Sequence, residues 1–245
     1  MDLRVIYDDK HRAYWNMAFD ESLLVHLDKI GPTLRLYGWN PPAVSIGYFQ
    51  SMEEEVNVEK AKNLGVDLVR RITGGGAVYH KYEITYSITL PQFKGRILDS
   101  YMVIDEGIMK ALKKLGLEPK HHGINDVIVN GKKISGNAQT RKYGGLLQHG
   151  TLLINVNVDE MFEILKVPEE KYRDKVIDSV KHRVTSLHHE GIDVDFDDLK
   201  NLLAEGFSEA LGAKLYEDTI PKEIYDYAHN LEVNKYATRE WNFKR

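Results

Sequence analysis

Two glycine-marked segments of the chain carry cationic side chains of the kind that bind an anionic ligand. The first is RRITGGGAVYH, in which Arg70 and Arg71 precede three consecutive glycines, residues 74–76. Such a run permits positive φ angles and lets a ligand approach the backbone without meeting a Cβ atom. Its N–H groups can then hold an anion. A simple hairpin or bulge is the competing interpretation.

The second segment is NDVIVNGKKISGNAQTRK, residues 125–142, which carries four cations: Lys132, Lys133, Arg141 and Lys142. Together the two segments could bind a ligand such as a nucleotide, because cations and free N–H groups both stabilise negative charge. Solvated surface charge is an equally good interpretation from composition alone.

The composition of the chain limits the chemistry. The 245 residues carry a net charge of −4, so general affinity for nucleic acid is not expected. The sequence has no cysteine, which excludes disulfides, thiolate metal sites and a cysteine nucleophile. Neither a signal peptide nor a long apolar run is present, so we expect a cytoplasmic protein.

The elements that must position these residues alternate irregularly between strands and helices. Asn130-Gly131, between Val127-Ile128-Val129 and Lys133-Ile134-Ser135, predicts a tight hairpin. Residues 101–115 have helical apolar spacing and end at Gly116. Strands at 84–90 and 152–156 complete the predicted sheet. The pattern favours an α+β fold with mixed or antiparallel sheets flanked by helices, formed by residues 1–245 as a single domain.

The motifs, taken together, resemble those of lipoate–protein ligases. RRITGGGAVYH resembles the RRxxGGGxVxH motif of that family, and IND followed by GKKISGNAQTR resembles its second motif. QHGTLLINV resembles the third, and KYATREWNF resembles the end of the family's catalytic domain. The resemblance covers essentially the whole chain and implies the biotin/lipoate ligase-like fold.

The activity that the resemblance implies is an ATP-dependent ligation in two steps. Lipoate and ATP, with Mg²⁺, would give lipoyl-AMP, which a lysine ε-amine of an acceptor protein would then attack. The implied acceptors are apo lipoyl domains of 2-oxoacid dehydrogenase E2 subunits or the glycine cleavage H protein. No nucleic-acid or membrane partner is expected.

The resemblance also implies the site residues. Lys133 is the expected catalytic residue, bridging the acyl carbonyl and the AMP phosphate. Asp126 is a candidate Mg²⁺ ligand, because this hard cation prefers oxygen, although an Asx turn is the alternative. The residues expected to bind ATP or lipoyl-AMP are Arg70, Arg71, Gly74, Gly75, Gly76, Ala77, Val78, Tyr79, His80, Asn125, Asp126, Lys133, Ser135, Gly136, Ala138, His149, Gly150 and Thr151.

Two histidines and one charged segment, residues 166–187, are further candidates for a functional role. His80 and His149 could act as bases, but we favour an orienting or pocket-lining role, since an acyl-adenylate is already activated. Residues 166–187 correspond to a family segment that includes a loop over the adenylate, so the resemblance predicts a lid that becomes ordered on ligand binding. A plain surface helix is the alternative.

The chain departs from the family pattern at two places. Lys81 stands where the family has an aspartate after the motif histidine, and the chain stops shortly after Trp241-Asn242. Many ligases carry a C-terminal accessory domain beyond that motif. We therefore expect a separate small accessory protein, and a chain that alone activates lipoate poorly but transfers from lipoyl-AMP.

Two alternatives remain. Octanoyl and lipoyl transferases share the fold but form a thioester on a cysteine, which this chain lacks. A non-catalytic protein that binds a lipoyl domain or a nucleotide is the second, although Lys133 with Asn125-Asp126 argues for catalysis.

Overall fold

The computed structural model describes residues 1–93, 95–167 and 169–245. Its strands are β1 (Asp2–His11), β2 (Thr33–Trp39), β3 (Ala43–Ile46), β4 (Asp67–Arg70), β5 (Val78–His80), β6 (Glu83–Pro91), β7 (Pro119–His122), β8 (Asp126–Val129), β9 (Lys132–Lys142), β10 (Gly145–Leu153) and β11 (Lys214–Tyr216). Its α-helices are α1 (Ala13–Val25), α2 (Leu27–Ile30), α3 (Met52–Glu55), α4 (Val58–Asn63), α5 (Ile97–Lys114), α6 (Val158–Ile164), α7 (Arg173–Arg183), α8 (Phe196–Leu211), α9 (Lys222–Leu231) and α10 (Arg239–Asn242). A 3₁₀ turn, Glu170–Tyr172, precedes α7, and a π-helical turn, Glu232–Tyr236, follows α9.

The strands form two sheets. The larger has eight strands in the order β11-β1-β2-β6-β10-β9-β8-β7, and the smaller has the order β4-β3-β5. In the larger sheet β1 is parallel to β2 and β11, whereas the pairs from β2 to β7 are antiparallel. In the smaller sheet β3 is parallel to β4 and antiparallel to β5. The predicted α+β class with mixed sheets is confirmed.

Helices α5 and α8 pack together against the larger sheet. Apolar residues of both helices, among them Ile104, Ile108 and Leu203, share one core with β2 and β6. The two helices approach closely at glycines: a Cβ atom on Gly206 would lie 2.3 Å from the Gly107 carbonyl oxygen. Small residues at that crossing let the apolar faces of both helices reach the sheet.

Helix α1 connects the larger sheet to the smaller one. Its apolar residues, such as Met17 and Leu24, pack between β2, β4 and β10. Its buried polar residues bind one guanidinium group: Arg35 donates to Asn16 Oδ1 at 2.8 Å and to Asp20 Oδ1 at 2.9 Å. Pairing and hydrogen bonding offset the cost of burying these charges.

The hairpin and its surroundings agree with the sequence, with two differences. Asn130 and Gly131 have φ angles of 51° and 77°, as a tight turn between β8 and β9 requires. Strand β10 ends at Leu153, so residues 154–156 leave the sheet, contrary to the predicted strand. Helix α5 begins at Ile97, one turn earlier than its apolar spacing predicts. No helix in the described part of the chain is both long and apolar enough to cross a membrane.

Candidate active site

The glycine loop, residues 72–77, connects β4 to β5 and is held from inside by Arg71. The Arg71 guanidinium donates to the carbonyl oxygens of Gly74 at 2.8 Å and Gly76 at 2.7 Å. It also donates to the Ser45 carbonyl oxygen at 2.9 Å and to Ser45 Oγ at 3.0 Å. Burial lowers the pKa of Arg71 to about 10, so the side chain is still charged at neutral pH. Arg71 therefore fixes the loop and supplies a buried positive charge.

The backbone conformation at the middle glycine of the loop, Gly75, requires a residue without a side chain. Gly75 has φ +94°, and a Cβ atom there would lie 3.0 Å from Arg71 Nη2. The Gly75 carbonyl oxygen packs on Gly47, where a Cβ atom would lie only 2.0 Å away. The conformation and the close approach both depend on the missing side chains.

A buried chain of hydrogen bonds ties the loop to helix α1. Thr73 Oγ1 lies 2.7 Å from His149 Nε2, and His149 Nδ1 lies 3.2 Å from Asp20 Oδ2. Burial alone would raise the pKa of Asp20, but the His149 hydrogen bond and the Arg35 charge outweigh burial and lower it. Burial lowers the pKa of His149, which favours a neutral imidazole. His149 thus orients the loop.

Arg70 has a different position from Arg71. Its guanidinium donates to the carbonyl oxygens of Tyr48 at 2.9 Å, Trp241 at 3.0 Å and Asn242 at 3.0 Å. The side chain is buried and faces backbone rather than a cavity. Arg70 connects the chain's last helix to the loop before α3.

Lys133 pairs with Ile128 close to the turn of the β8–β9 hairpin. Its Nζ lies 2.7 Å from Asp126 Oδ1, and its side chain is 42% exposed. The side chain runs over Gly136, where a Cβ atom would lie 2.6 Å from Nζ. The Asp126 carboxylate binds the ammonium group, and the absence of a Cβ atom on Gly136 leaves room for it at that position.

Hydrogen bonds between Asn125 and Asn137 connect the residue before β8 to strand β9. Asn137 N donates to the Asn125 carbonyl oxygen at 2.9 Å, and Asn137 Oδ1 accepts from Tyr86 Oη at 2.8 Å. Gly136 pairs with Thr151 of β10, and Ala138 pairs with His149. The second and third motifs thus lie on adjacent strands.

Two adjacent cavities lie between the glycine loop and the hairpin. The larger has a volume of about 270 Å³, and the smaller about 50 Å³. Both are lined by Arg71, Val78, Gly136 and Thr151. Of the predicted residues, the larger cavity is also lined by Gly76, Ala77, Tyr79, Asn125 and Lys133, and the smaller also by His80, Ala138, His149 and Gly150. Neither cavity is lined by Arg70, Gly74, Gly75, Asp126 or Ser135, which lie beside the lining residues.

The larger cavity is mainly apolar, a property that the sequence did not indicate. Its apolar wall comes from β10, the segment after it, α6 and the end of α7: Leu153, Val156, Val158, Met161, Val180 and Val184. Leu153 and Val156 belong to the third motif, but the other four lie outside any motif between residues 158 and 184, so only the fold brings them together. Of the predicted lid, Pro168 lies outside the described residues.

A second cluster that the sequence reading missed surrounds His80. Its Nδ1 lies 2.5 Å from Glu83 Oε1 and its Nε2 lies 2.7 Å from Ser45 Oγ. All three residues are buried. Ser45 belongs to no family motif, and its contact with His80 arises from the pairing of β3 with β5.

Lys81, the departure from the family pattern, has an acidic partner. It forms an ion pair with Glu160 of α6, which also accepts hydrogen bonds from Tyr79 Oη at 2.8 Å and Tyr82 Oη at 3.1 Å. Burial would raise the pKa of Glu160, but these three donors outweigh burial and lower it. The cluster fastens α6 to the β5–β6 turn at the rim of the larger cavity.

Asp126, the predicted Mg²⁺ ligand, lies beside Lys133. The Asp126 carboxylate is paired with an ammonium group, which competes with a metal ion for the same oxygen. Within residues 1–93, 95–167 and 169–245, no three His, Asp or Glu side chains are arranged to hold a metal ion.

Comparison with known proteins identifies the domain type. The family described as "Lipoyl protein ligase A/B catalytic domain" matches residues 12–208. Octanoyltransferase LipM of Kyrpidia tusciae is 36% identical, covering 99% of this chain and 98% of the relative. Octanoyltransferase LipM of Bacillus subtilis is 34% identical, covering 94% of each.

A solved structure agrees over the whole chain. It is a bi-partite lipoate protein ligase of an archaeal lipoylation system from Thermoplasma acidophilum, described together with its E2 lipoyl domain. The TM-score is 0.90 at 35% identity, over 99% of this chain and 95% of that one. The predicted biotin/lipoate ligase-like fold is confirmed.

The relatives correct the predicted reaction. We predicted an ATP-dependent, adenylate-forming ligase, but the two sequence relatives above, from Kyrpidia tusciae and Bacillus subtilis, are octanoyltransferases that match nearly the full chain. The motifs misled because they describe an acyl site, which transferases and ligases both need. The absence of cysteine led us to reject a transferase, but it excludes only a cysteine nucleophile and does not exclude acyl transfer. A role in lipoylation and a lipoate-related acyl substrate are supported, whereas the predicted use of ATP and Mg²⁺ is not.

Proposed function

The chain belongs to the lipoyl protein ligase A/B catalytic-domain family, and from that membership we propose that it is an acyltransferase. It moves an octanoyl or lipoyl group from an acyl thioester to the ε-amine of a lysine on a lipoyl domain. The reaction forms an amide and releases the donor's thiol. ATP and Mg²⁺ take no part in it.

One observation carries this proposal: an apolar cavity of about 270 Å³ with the Lys133 ammonium group in its wall. Apolar side chains favour an aliphatic chain, because its burial contributes about 0.8 kcal/mol per CH₂ group. The volume is near the lower end of ligand pockets, about 300–1,000 Å³. A medium-length acyl chain suits this space.

Lys133 and Arg71 supply the positive charge for the reaction. Attack on the thioester carbonyl places negative charge on its oxygen, and a pre-positioned cation stabilises that charge. Lys133 is held at 2.7 Å by Asp126 and lies in the larger cavity, whereas Arg71 lines both cavities. The carbonyl group is therefore expected near Gly136, which both cavities share.

The arrangement of the arginines also favours transfer over ATP-dependent activation. Arg70 and Arg71 were predicted to bind ATP or lipoyl-AMP, and both donate to backbone carbonyl oxygens. A triphosphate could bind these guanidinium groups only by competing with the backbone carbonyl oxygens. An uncharged thioester does not need two guanidinium groups as ligands.

The description of one relative supports the choice of acceptor. The archaeal relative is described with its E2 lipoyl domain. We therefore assign an apo lipoyl domain as the acceptor, and the lysine that normally carries lipoate as the modified residue.

Mass spectrometry of a purified apo lipoyl domain tests the proposal. One reaction contains the protein and octanoyl-pantetheine, and a second contains octanoate, ATP and Mg²⁺. We expect a gain of one octanoyl group in the first only, and none on a lipoyl domain whose acceptor lysine is replaced by arginine. A gain confined to the second reaction would overturn the proposal.

A further inference from the structure

Glu83, His80 and Ser45 have the arrangement of an acid–base–nucleophile triad. His80 Nδ1 lies 2.5 Å from Glu83 Oε1, and His80 Nε2 lies 2.7 Å from Ser45 Oγ. Such triads are recognised by geometry and not by order along the chain. Here the three residues come from the start of β6, from β5 and from β3.

The neighbours of His80 fix its orientation. The Trp39 ring stacks on the imidazole at 3.9 Å with an interplanar angle of 15°. Glu83 Oε1 also accepts from Thr85 Oγ1 at 3.0 Å. Since a carboxylate only accepts, Nδ1 carries the proton toward Glu83, which leaves Nε2 free to accept the Ser45 hydroxyl proton.

One carboxylate oxygen of Glu83 can still accept a hydrogen bond or stabilise a nearby positive charge. Its Oε2 is buried and has no hydrogen-bond partner within the described ranges of the chain. A buried carboxylate with incomplete hydrogen bonding is costly unless a positive charge compensates it. Formation of a His80 imidazolium would supply that charge at 2.5 Å.

Ser45 lies where an acyl carbonyl group can reach it. It lines the smaller cavity, together with Arg71 and Gly136, which also line the larger cavity beside Lys133. Arg71 Nη1 donates to Ser45 Oγ at 3.0 Å. A guanidinium group at that distance stabilises the alkoxide character that develops on a nucleophilic oxygen.

Resting on the proposed function, we propose that Ser45 is the nucleophile of this enzyme and carries the acyl group as an ester between donor and acceptor. His80 Nε2 takes the Ser45 proton as Oγ bonds to the thioester carbonyl carbon. The C–S bond then breaks and the thiol leaves with that proton. The acceptor's amine attacks the ester, the C–O bond breaks, and Ser45 Oγ regains a proton from the amine through His80.

This route replaces the nucleophile that the chain lacks. Without cysteine, the hydroxyl group needs a base and a stabilising charge, because serine is a weak nucleophile at its ordinary pKa. The structure places both against one oxygen atom, His80 at 2.7 Å and Arg71 at 3.0 Å.

Trapping the ester tests the proposal. The protein is mixed with octanoyl-pantetheine without acceptor, quenched in acid, digested and analysed by mass spectrometry. We expect one octanoyl group on the peptide that contains Ser45, stable to neutral hydroxylamine and removed by alkaline hydroxylamine. Ser45→Cys should carry the group as a thioester, which neutral hydroxylamine removes.

Two further variants separate chemistry from folding. Ser45→Ala should form no acyl-enzyme, and His80→Gln should slow its formation by about 10²–10⁴-fold. Ser22→Ala is the matched control, because Ser22 is also buried but donates to the Ile224 carbonyl oxygen far from the cavities. It should acylate like the wild type.

The outcomes distinguish this inference from the proposed function. A lipoyl domain that is octanoylated by Ser45→Ala at the wild-type rate, with no ester on the wild type, would overturn the serine route while the transferase reaction stands. An ester on Ser45 that never reaches a lipoyl domain would support the nucleophile and overturn the acceptor.

Discussion

At the scale of the residue, Lys133 is the side chain whose replacement should separate activity from stability. It is 42% exposed and its partner is a single carboxylate, so Lys133→Ala should change the free energy of unfolding by less than about 0.5 kcal/mol. Loss of its charge at the carbonyl oxygen should lower kcat by about 10²–10³-fold. Octanoyl transfer and urea unfolding measure the two effects.

Lys132→Ala is the matched control, since Lys132 precedes it on β9 and is exposed. It should retain full activity. An equal loss of activity in both variants would mean that general positive charge, and not the position of Lys133, drives transfer.

Asp105 of α5 should make stability depend on pH. Burial raises its pKa from 3.8 to about 7, opposed by a hydrogen bond from Gln148 and assisted by the Asp126 charge. Its other facing partner is His121, whose Nδ1 lies 3.0 Å from Oδ2. Because the folded pKa is the higher one, the stabilisation is full below about pH 4 and is lost as pH rises through about 7.

Asp105→Asn removes this titration and keeps the shape of the side chain. The shift corresponds to at most about 4 kcal/mol, so wild type should lose stability relative to the variant between pH 5 and pH 8.5. Urea unfolding at both pH values measures it. Parallel pH profiles for the two proteins would contradict the assignment.

The site residues that could be predicted from the sequence are those within the motifs. Arg71, Lys133, Gly136 and Thr151 all line a cavity. Ser45 could not be predicted, because its contact with His80 spans 35 positions and depends on strand pairing. Nor could the bonding of Arg70, whose partners include carbonyl groups more than 170 positions away.

At the scale of the element, the glycine loop offers a matched pair of substitutions. Gly75→Ala places a Cβ atom at φ +94° and 3.0 Å from Arg71 Nη2. It should lower the free energy of unfolding by about 1–3 kcal/mol and weaken octanoyl transfer. Gly74→Ala has no atom within 4 Å of the new Cβ and an ordinary φ, so it should be nearly neutral. Chemical denaturation compares the pair, and equal effects would contradict a conformational role for Gly75.

Helix α7 should become more ordered when the larger cavity is filled. None of its residues is buried, although Val180 lines the cavity. Thr185, two residues after the end of α7, donates from its N–H to the Lys133 carbonyl oxygen at 2.8 Å. Segments with so little buried surface open locally at low free energy, and an acyl chain would add apolar contacts.

Limited trypsin digestion with a thioether analogue of octanoyl-pantetheine tests this. Cleavage within α7, at Lys175 and Lys181, should slow several-fold, while cleavage at the exposed Lys222 of α9 serves as the internal control. Equal cleavage of α7 with and without the analogue would argue against a lid.

Elements with a local signal were predicted well, and those that depend on distant partners were not. The Asn130-Gly131 hairpin and strand β6 lie where the sequence predicts them. Strand β11 has three residues and forms only because β1 lies beside it. The charged sequence of α7 has no strong apolar face, so its position over the cavity depends on tertiary packing.

At the scale of the whole molecule, the C-terminal segment should contribute strongly to stability through Asn242. Its Oδ1 accepts from Arg70 N at 2.8 Å, and its Nδ2 donates to the Tyr236 carbonyl oxygen at 2.7 Å. Asn242→Ala leaves these buried groups unpaired and should cost about 2–4 kcal/mol. Asn230→Ala, at an exposed position on α9, should change stability by less than about 0.5 kcal/mol. Thermal unfolding of both variants checks the difference, and similar melting temperatures would contradict the role of Asn242.

The position of β1 within the larger sheet has a consequence for synthesis on the ribosome. One edge of β1 can pair with β2 early, but its other edge waits for β11, residues 214–216. β1 is therefore completed only after β11 has been translated, and an open strand edge invites pairing with other chains. Arg4, Asp8, Asp9 and Lys10 place charges along this strand. Charges on an open strand edge disfavour such pairing, so we expect them to limit association of the nascent chain until residues 214–216 have been translated.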